Sequence, residues 1–215
     1  MTESSTNPTA GAGIGRWTPA LSTVLFLRAL GFAVVAFSAG ALRDLALDEE
    51  LSFAEAIGQV FRAIAVYVWA GLATVVLGVV AIVLLAFWFR RLRERCGQTT
   101  PILADVGTAV TRCVVPGFNA IFAPALLAAL ERAVVGRDAA PISNLWRLTA
   151  LSTLAADLGM TVFLMTEDDG SQDGLGRVAL WLAIGAGANA LLAAVSALYV
   201  LLIGRRAALI PLVAG

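Results

Sequence analysis

Two charged side chains interrupt stretches of sequence that are otherwise apolar: Arg28 within residues 21–42 and Asp157 within residues 148–166. An ionised group at the centre of a bilayer costs about 2.5–3.5 kcal/mol on insertion scales, so each requires a compensating partner or a function. Counted inward from Pro19 and Arg147, each lies about ten residues, or about 15 Å, into its stretch, which sets both at one depth and within reach of each other. Asn189 and Thr74 fall near mid-depth of two further apolar stretches, so one intramembrane polar layer draws on four helices. Two chemistries fit this layer. A carboxylate beside a guanidinium titrates and relays a proton or ion, the cation favouring the ionised form and desolvation opposing it. Alternatively, a buried ion pair with Asn and Thr fixes helix register, losing much of its Coulomb attraction to desolvation. A contact between this layer and a larger partner is the third reading.

Other reactive groups are sparse. There is no His, which removes the commonest general base and transition-metal ligand and leaves Ser22, Ser38, Ser143, Ser152 and Ser196 without an activating partner. Cys96 and Cys113 both fall on the side expected to be cytoplasmic, where thiols stay reduced, and two thiols without His make a poor metal site. Cys96, next to Arg95, is either a reactive thiol or an incidental juxtamembrane residue. The acidic run from Glu167 to Asp173 lacks the spacing of a calcium loop. No cofactor, no metal and no enzymatic activity are expected. Formal net charge is zero, so bulk charge draws in no nucleic acid.

The elements that must hold these residues are membrane helices. Of 215 residues, 60% are hydrophobic and only 14% charged, against about 25% charged in a soluble domain, and mean hydropathy is +0.87. The organising element is one long helix over Ser52–Arg95, whose middle, residues 63–89, holds no ionisable group but Tyr67. Those residues reach about 40 Å, more than the ~30 Å hydrocarbon core. Ser52 and Glu55 form a capping box at its start, and Phe53, Ile57, Phe61 and Ile64 give its first turns an interfacial apolar face. Arg90, Arg91, Arg93 and Arg95 crowd its exit. Such a cluster sets topology, and each Arg adds about 1 kcal/mol of attraction to an anionic lipid surface.

Four spans follow, over residues 21–42, 63–89, 148–166 and 178–204, preceded by a disordered tail over 1–17 that is rich in Ser, Thr, Gly and Ala. A cleaved signal, with Ala36, Ser38 and Ala39 near the cleavage site, is the competing reading of the first span; its long n-region argues against it. Between the second and third spans, Thr100 and Pro101 open an amphipathic helix over 101–115, with Ile102, Val106, Ala109, Val110 and Cys113 opposite Asp105, Thr108 and Arg112. Residues 118–135, broken by Pro124 and ending near Glu131 and Arg132, are short for a span, and a re-entrant or interfacial hairpin is expected. Trp146 reads as an aromatic anchor at the interface. Arg16, the Arg90–Arg147 set, Arg205 and Arg206 fall on one side, while Arg43, Arg62 and Arg177 fall on the other. The positive-inside bias then puts both termini in the cytoplasm. Small residues recur on the fourth span as Ala179, Ala183, Gly187 and as Ala186, Ala190, Ala194, one face for packing within the bundle and a second for a dimer or partner helix.

Trp88 with Arg91 at the helix exit, then Pro116 and Asn119 followed by Phe122 and Pro124, resemble an actinobacterial family of small four-span membrane proteins known only as a domain of unknown function. Relative to that pattern the second Pro is displaced by one residue, Phe118 precedes Asn119, and Glu94 or Arg95 stands where an Asn is usual. The resemblance implies an architecture and no activity. The expected fold is an all-α polytopic membrane bundle, residues 18–215, with four transmembrane helices and an interfacial or re-entrant helical pair. The expected function is a non-enzymatic accessory or scaffold protein that docks on a partner membrane protein or self-associates in the lipid bilayer. The alternative is a small proton- or ion-coupled transport unit built on Arg28, Asp157 and Asn189.

Overall fold

The computed structural model describes residues 13–47, 53–96, 105–115, 118–135, 142–166 and 172–210. Six helices account for nearly all of them: α1 (Gly13–Leu47), α2 (Phe53–Cys96), α3 (Val106–Val114), α4 (Phe118–Val135), α5 (Ile142–Thr166) and α6 (Gln172–Ala208). Segments Ile14–Leu45, Ile57–Arg95, Ile142–Met165 and Gly176–Ala208 are each long and apolar enough to cross a membrane. With backbone polar groups satisfied inside each helix, their apolar side chains can face lipid. Large residues do so all along α2, where Phe61, Trp69 and Val75 are exposed, and along one stripe of α6, Leu180, Ile184, Leu191, Leu198 and Leu202.

Packing is antiparallel between sequence neighbours. Trp17 stacks on Phe87 at 4.9 Å, Trp88 Nε1–H donates to Thr18 Oγ1 at 3.1 Å, and a side chain at Gly31 would run into Thr74, so α1 and α2 lie alongside each other. Trp146 Nε1–H donates to Ser196 Oγ at 2.9 Å and Trp181 lies over Gly159, which aligns α5 with α6. The broadest seam joins α1 to α6, so the spans form an arc in the order α2, α1, α6, α5, with no packed seam between α2 and α5. The α3–α4 pair bridges those two edges at one end.

That end holds the main core. Ile14 and Leu21 of α1, Trp88, Phe89 and Leu92 of α2, Trp146 and Ala150 of α5, and Tyr199, Ile203 and Ala207 of α6 cluster with Ala123, Leu126 and Leu130 of α4. The exit of α2 and the entry of α5 therefore share one end of the bundle, and α3–α4 returns the chain to the side it left. At 18 residues, α4 reaches about 27 Å, short of the ~30 Å core. The interfacial or re-entrant reading of 118–135 fits this geometry.

Several expectations are corrected. The tail does not extend to residue 17: α1 starts at Gly13, because Ile14 is buried in the core and Thr18 is bonded across to α2. The helix expected from 101 starts at Val106, with Asp105 as its cap: its side chain accepts from Gly107 N–H at 2.9 Å. Trp146 is a core residue rather than an interfacial anchor, its indole N–H satisfied by Ser196. Arg95 is not simply part of a lipid-facing cluster; its Nη1 donates to the Ala207 and Ala208 carbonyls at 3.1 and 2.9 Å, satisfying orphan acceptors at the negative end of α6. Of the two small-residue stripes on α6, Ala179 and Ala186 are buried while Ala183, Gly187, Ala190 and Ala194 are half-buried. Ser52, Thr100, Pro101 and Pro116, with the expectations resting on them, lie outside the described residues.

Candidate functional site: an axial cavity between the spans

Inside the arc lies a cavity of about 240 Å³ lined by all six helices. Cys113 and Val114 of α3 with Asn119 and Leu127 of α4 form its floor at the core end. Arg28, Asn189 and Asp157 all line it, together with Ser196 and Tyr199. Three members of the expected polar layer thus share one cavity. Thr74 does not line it: its hydroxyl donates to the Gly71 carbonyl at 2.7 Å and its methyl fills the space above Gly31.

The expected ion pair is not formed. Among the described residues no ion pair joins Arg28 to Asp157, whereas Arg90 and Arg91 each pair with Glu94. The physical reason is register. Thr18 of α1 lies against Gly204 of α6, so ten residues further along α1, Arg28 comes level with about Ala194. Asp157 lies instead beside Gly185, about nine residues, or about 13 Å, further along α6. Counting depth from each helix's own basic end failed because α5 enters the bundle deeper than α1. The polar groups consequently form a column rather than a layer: Asn119 and Tyr199 at the floor, then Ser196, Arg28, Asn189 and Asp157.

Each member is held differently. Tyr199 O–H donates to the Leu127 carbonyl at 2.7 Å in a buried bond that pins the floor to α6. Ser196 O–H donates to the Leu192 carbonyl and Asn189 Nδ2–H to the Gly185 carbonyl, local bonds that keep both side chains close to their helix. Arg28 is half-buried, its guanidinium carbon 5.3 Å from the centre of the Phe32 ring, a cation–π distance. Gly78 of α2 makes room for it: a β-carbon there would sit 3.3 Å from Cζ. Arg28 Nε is buried with no hydrogen-bond partner. Asp157 is exposed at the other end of the column. At the floor, burial pushes the Cys113 thiol up to about 12, and Cys113 and the buried Glu131 of α4 each lie near Tyr199.

Sequence reasoning missed Tyr199, Cys113 and Asn119 as cavity residues, and it grouped Glu131 with Arg132 as a charged end although Glu131 is buried and Arg132 exposed. One signal was available: Asn189, Leu192, Ser196 and Tyr199 recur at three- and four-residue steps and so share one face of α6. Of the other residues singled out, Arg90, Arg91 and Arg93 are exposed, and Pro124 is half-buried within α4. Ser22 and Ser38 donate to the Pro19 and Val34 carbonyls of their own helix. Among the described residues no cluster of metal-binding side chains is present.

A four-span α-helical membrane bundle, closed at one end by a helical pair and holding a polar column, is the class that this fold and cavity define. Residues 52–205 match DUF4328, a domain of unknown function. The chain belongs to that family. No curated protein and no solved structure matches it. Helix α1, which supplies Arg28, precedes the matched residues.

Proposed function

We propose that this protein is a small, non-enzymatic membrane transport unit whose cavity receives the transported species, with Arg28, Asn189 and Asp157 as the polar stations along it. The observation that carries this reading is that Arg28 and Asp157 line one cavity without neutralising each other. A purely structural pair would be expected in contact, because two separated intramembrane charges each retain their desolvation cost. Asp157, at the exposed end, is the group through which a proton gradient would couple. The test is flux in proteoliposomes under an imposed pH gradient: the wild type is expected to accumulate or release substrate and Asp157→Asn to abolish the gradient dependence. Flux unchanged in Asp157→Asn would overturn the coupling role.

A second reading, an accessory or scaffold subunit, is favoured by α2. Its uncharged run, residues 63–89, reaches about 40 Å against a ~30 Å core, and Ile57, Phe61 and Ile64 near its start are exposed. A projecting apolar helix suits docking on another membrane protein or on a second copy. Purification in mild detergent separates the readings, since a stoichiometric partner supports the scaffold. The proposed setting is the cell membrane, actinobacterial by the resemblance noted above, with the arginine-rich end and both termini in the cytoplasm. The proposal of a non-enzymatic role is supported by the lack of His and by serines that donate to their own helix carbonyls.

A further inference from the structure

The cavity's lining selects among ligands. Apart from the column and from Thr153, Cys113 and Trp146, its walls are hydrocarbon: Leu21, Leu25, Leu85, Leu154 and Leu192 among them. Among the described residues Arg28 is its one cation, and no described carboxylate lies within 4.0 Å of it. The unpartnered Nε belongs to the planar donor fork that a carboxylate meets with two parallel hydrogen bonds. Gly78 keeps the flank of that fork clear. Asp157, the other charge in the cavity, disfavours a second negative group on the ligand. The volume, about 240 Å³, falls below the ~300–1,000 Å³ of sites for drug-sized ligands, which sets the scale of the occupant.

We infer that the cavity binds a monocarboxylate with a short hydrocarbon body, its carboxylate on the Arg28 guanidinium and its chain among the leucines. This rests on the reading of the cavity as a substrate site and narrows it to one chemical class. The ligand supplies the counter-charge that Asp157 is too distant to give, and the apolar walls exclude small hydrophilic anions.

Equilibrium dialysis of labelled octanoate against the purified full-length protein in maltoside micelles tests the inference, with octanol, octylamine and acetate as competitors. Saturable octanoate binding is expected, displaced by none of the three at equal concentration. Arg28→Gln is expected to weaken it at least tenfold. Gly78→Ala, which keeps the charge but crowds the guanidinium, is expected to weaken it several-fold, so the inference does not depend on Arg28→Gln folding. Ala150→Phe, which fills the cavity, should abolish it. Octanol competing as well as octanoate, with Arg28→Gln and Gly78→Ala binding normally, would overturn the carboxylate assignment while Ala150→Phe sensitivity preserved the cavity as a site. Acetate competing equally would overturn the hydrocarbon half. No saturable binding of octanoate or octanol to the wild type, or binding indifferent to Ala150→Phe, would remove the substrate site itself.

Discussion

At Gly204, α6 runs so close to α1 that a β-carbon would overlap the Thr18 side chain. Thr18 cannot simply rotate away, because its hydroxyl both donates to the Ile14 carbonyl and accepts from Trp88. Gly204→Ala is therefore expected to destabilise the bundle by about 1–3 kcal/mol, the usual cost of overpacking. Gly187 on the same helix has nothing within 4 Å of its missing β-carbon, so Gly187→Ala should be neutral or stabilising by up to about 1 kcal/mol. Thermal unfolding of the two variants in one detergent checks the contrast, and equal behaviour would contradict the packing. Cys113 makes a chemical prediction. With its thiol pushed up to about 12, roughly one molecule in 10⁴ is thiolate at pH 8, against about a quarter for an ordinary thiol near 8.5. In a Cys96→Ser background the half-buried Cys113 should label with maleimide far more slowly in the folded than in the denatured protein, and prompt labelling of the folded protein would refute the raised thiol value.

Among the helices, the floor pair is the most independently breakable. The short helix α3 leans on its cap. The Thr108 hydroxyl, with the Thr108 and Gly107 backbone N–H groups, holds the Asp105 carboxyl below its usual range. A depressed folded-state value means the cap's contribution is present above the ordinary carboxylate range and lost as pH falls through the depressed value. Amide exchange across α3, corrected for intrinsic rates, should show protection that fades in acid, and Asp105→Ala should lack that protection already at neutral pH. Tyr199→Phe removes the bond to Leu127 and should cost about 0.5–1.5 kcal/mol, with faster exchange in α4 than in α1. The elements themselves were legible in the sequence: largely apolar runs of about bilayer length or more announce α1, α2, α5 and α6, and the stripe through Val106, Ala109, Val110 and Cys113 announces α3. Arg28, Asn189 and Asp157 stood out because charge and amide are costly in lipid. What could not be read was their register, since each helix's offset is set by tertiary contacts such as Thr18 against Gly204 and Asp157 beside Gly185.

For the whole molecule, charge asymmetry predicts orientation. Ten of the described arginines, from Arg16 at the start of α1 through Arg90, Arg91, Arg93, Arg95, Arg112, Arg132 and Arg147 to Arg205 and Arg206, lie toward the floor end, and Arg43, Arg62 and Arg177 toward the other. Reporter fusions at the two ends of the chain should both read cytoplasmic, and a split result would break the arrangement in which α3–α4 returns the chain to the side it left. The broadest seam in the bundle also has a temporal side. Helix α6 follows α1 by more than a hundred residues, and at about 5–20 residues per second it emerges on the order of ten seconds later. Throughout that interval a newly inserted α1 holds Arg28 in lipid with α6 still unmade. Only α2, whose Gly78 accepts the guanidinium, arrives in time to shelter it, so the ribosome delivers the arginine's cover before it delivers the wall of the cavity.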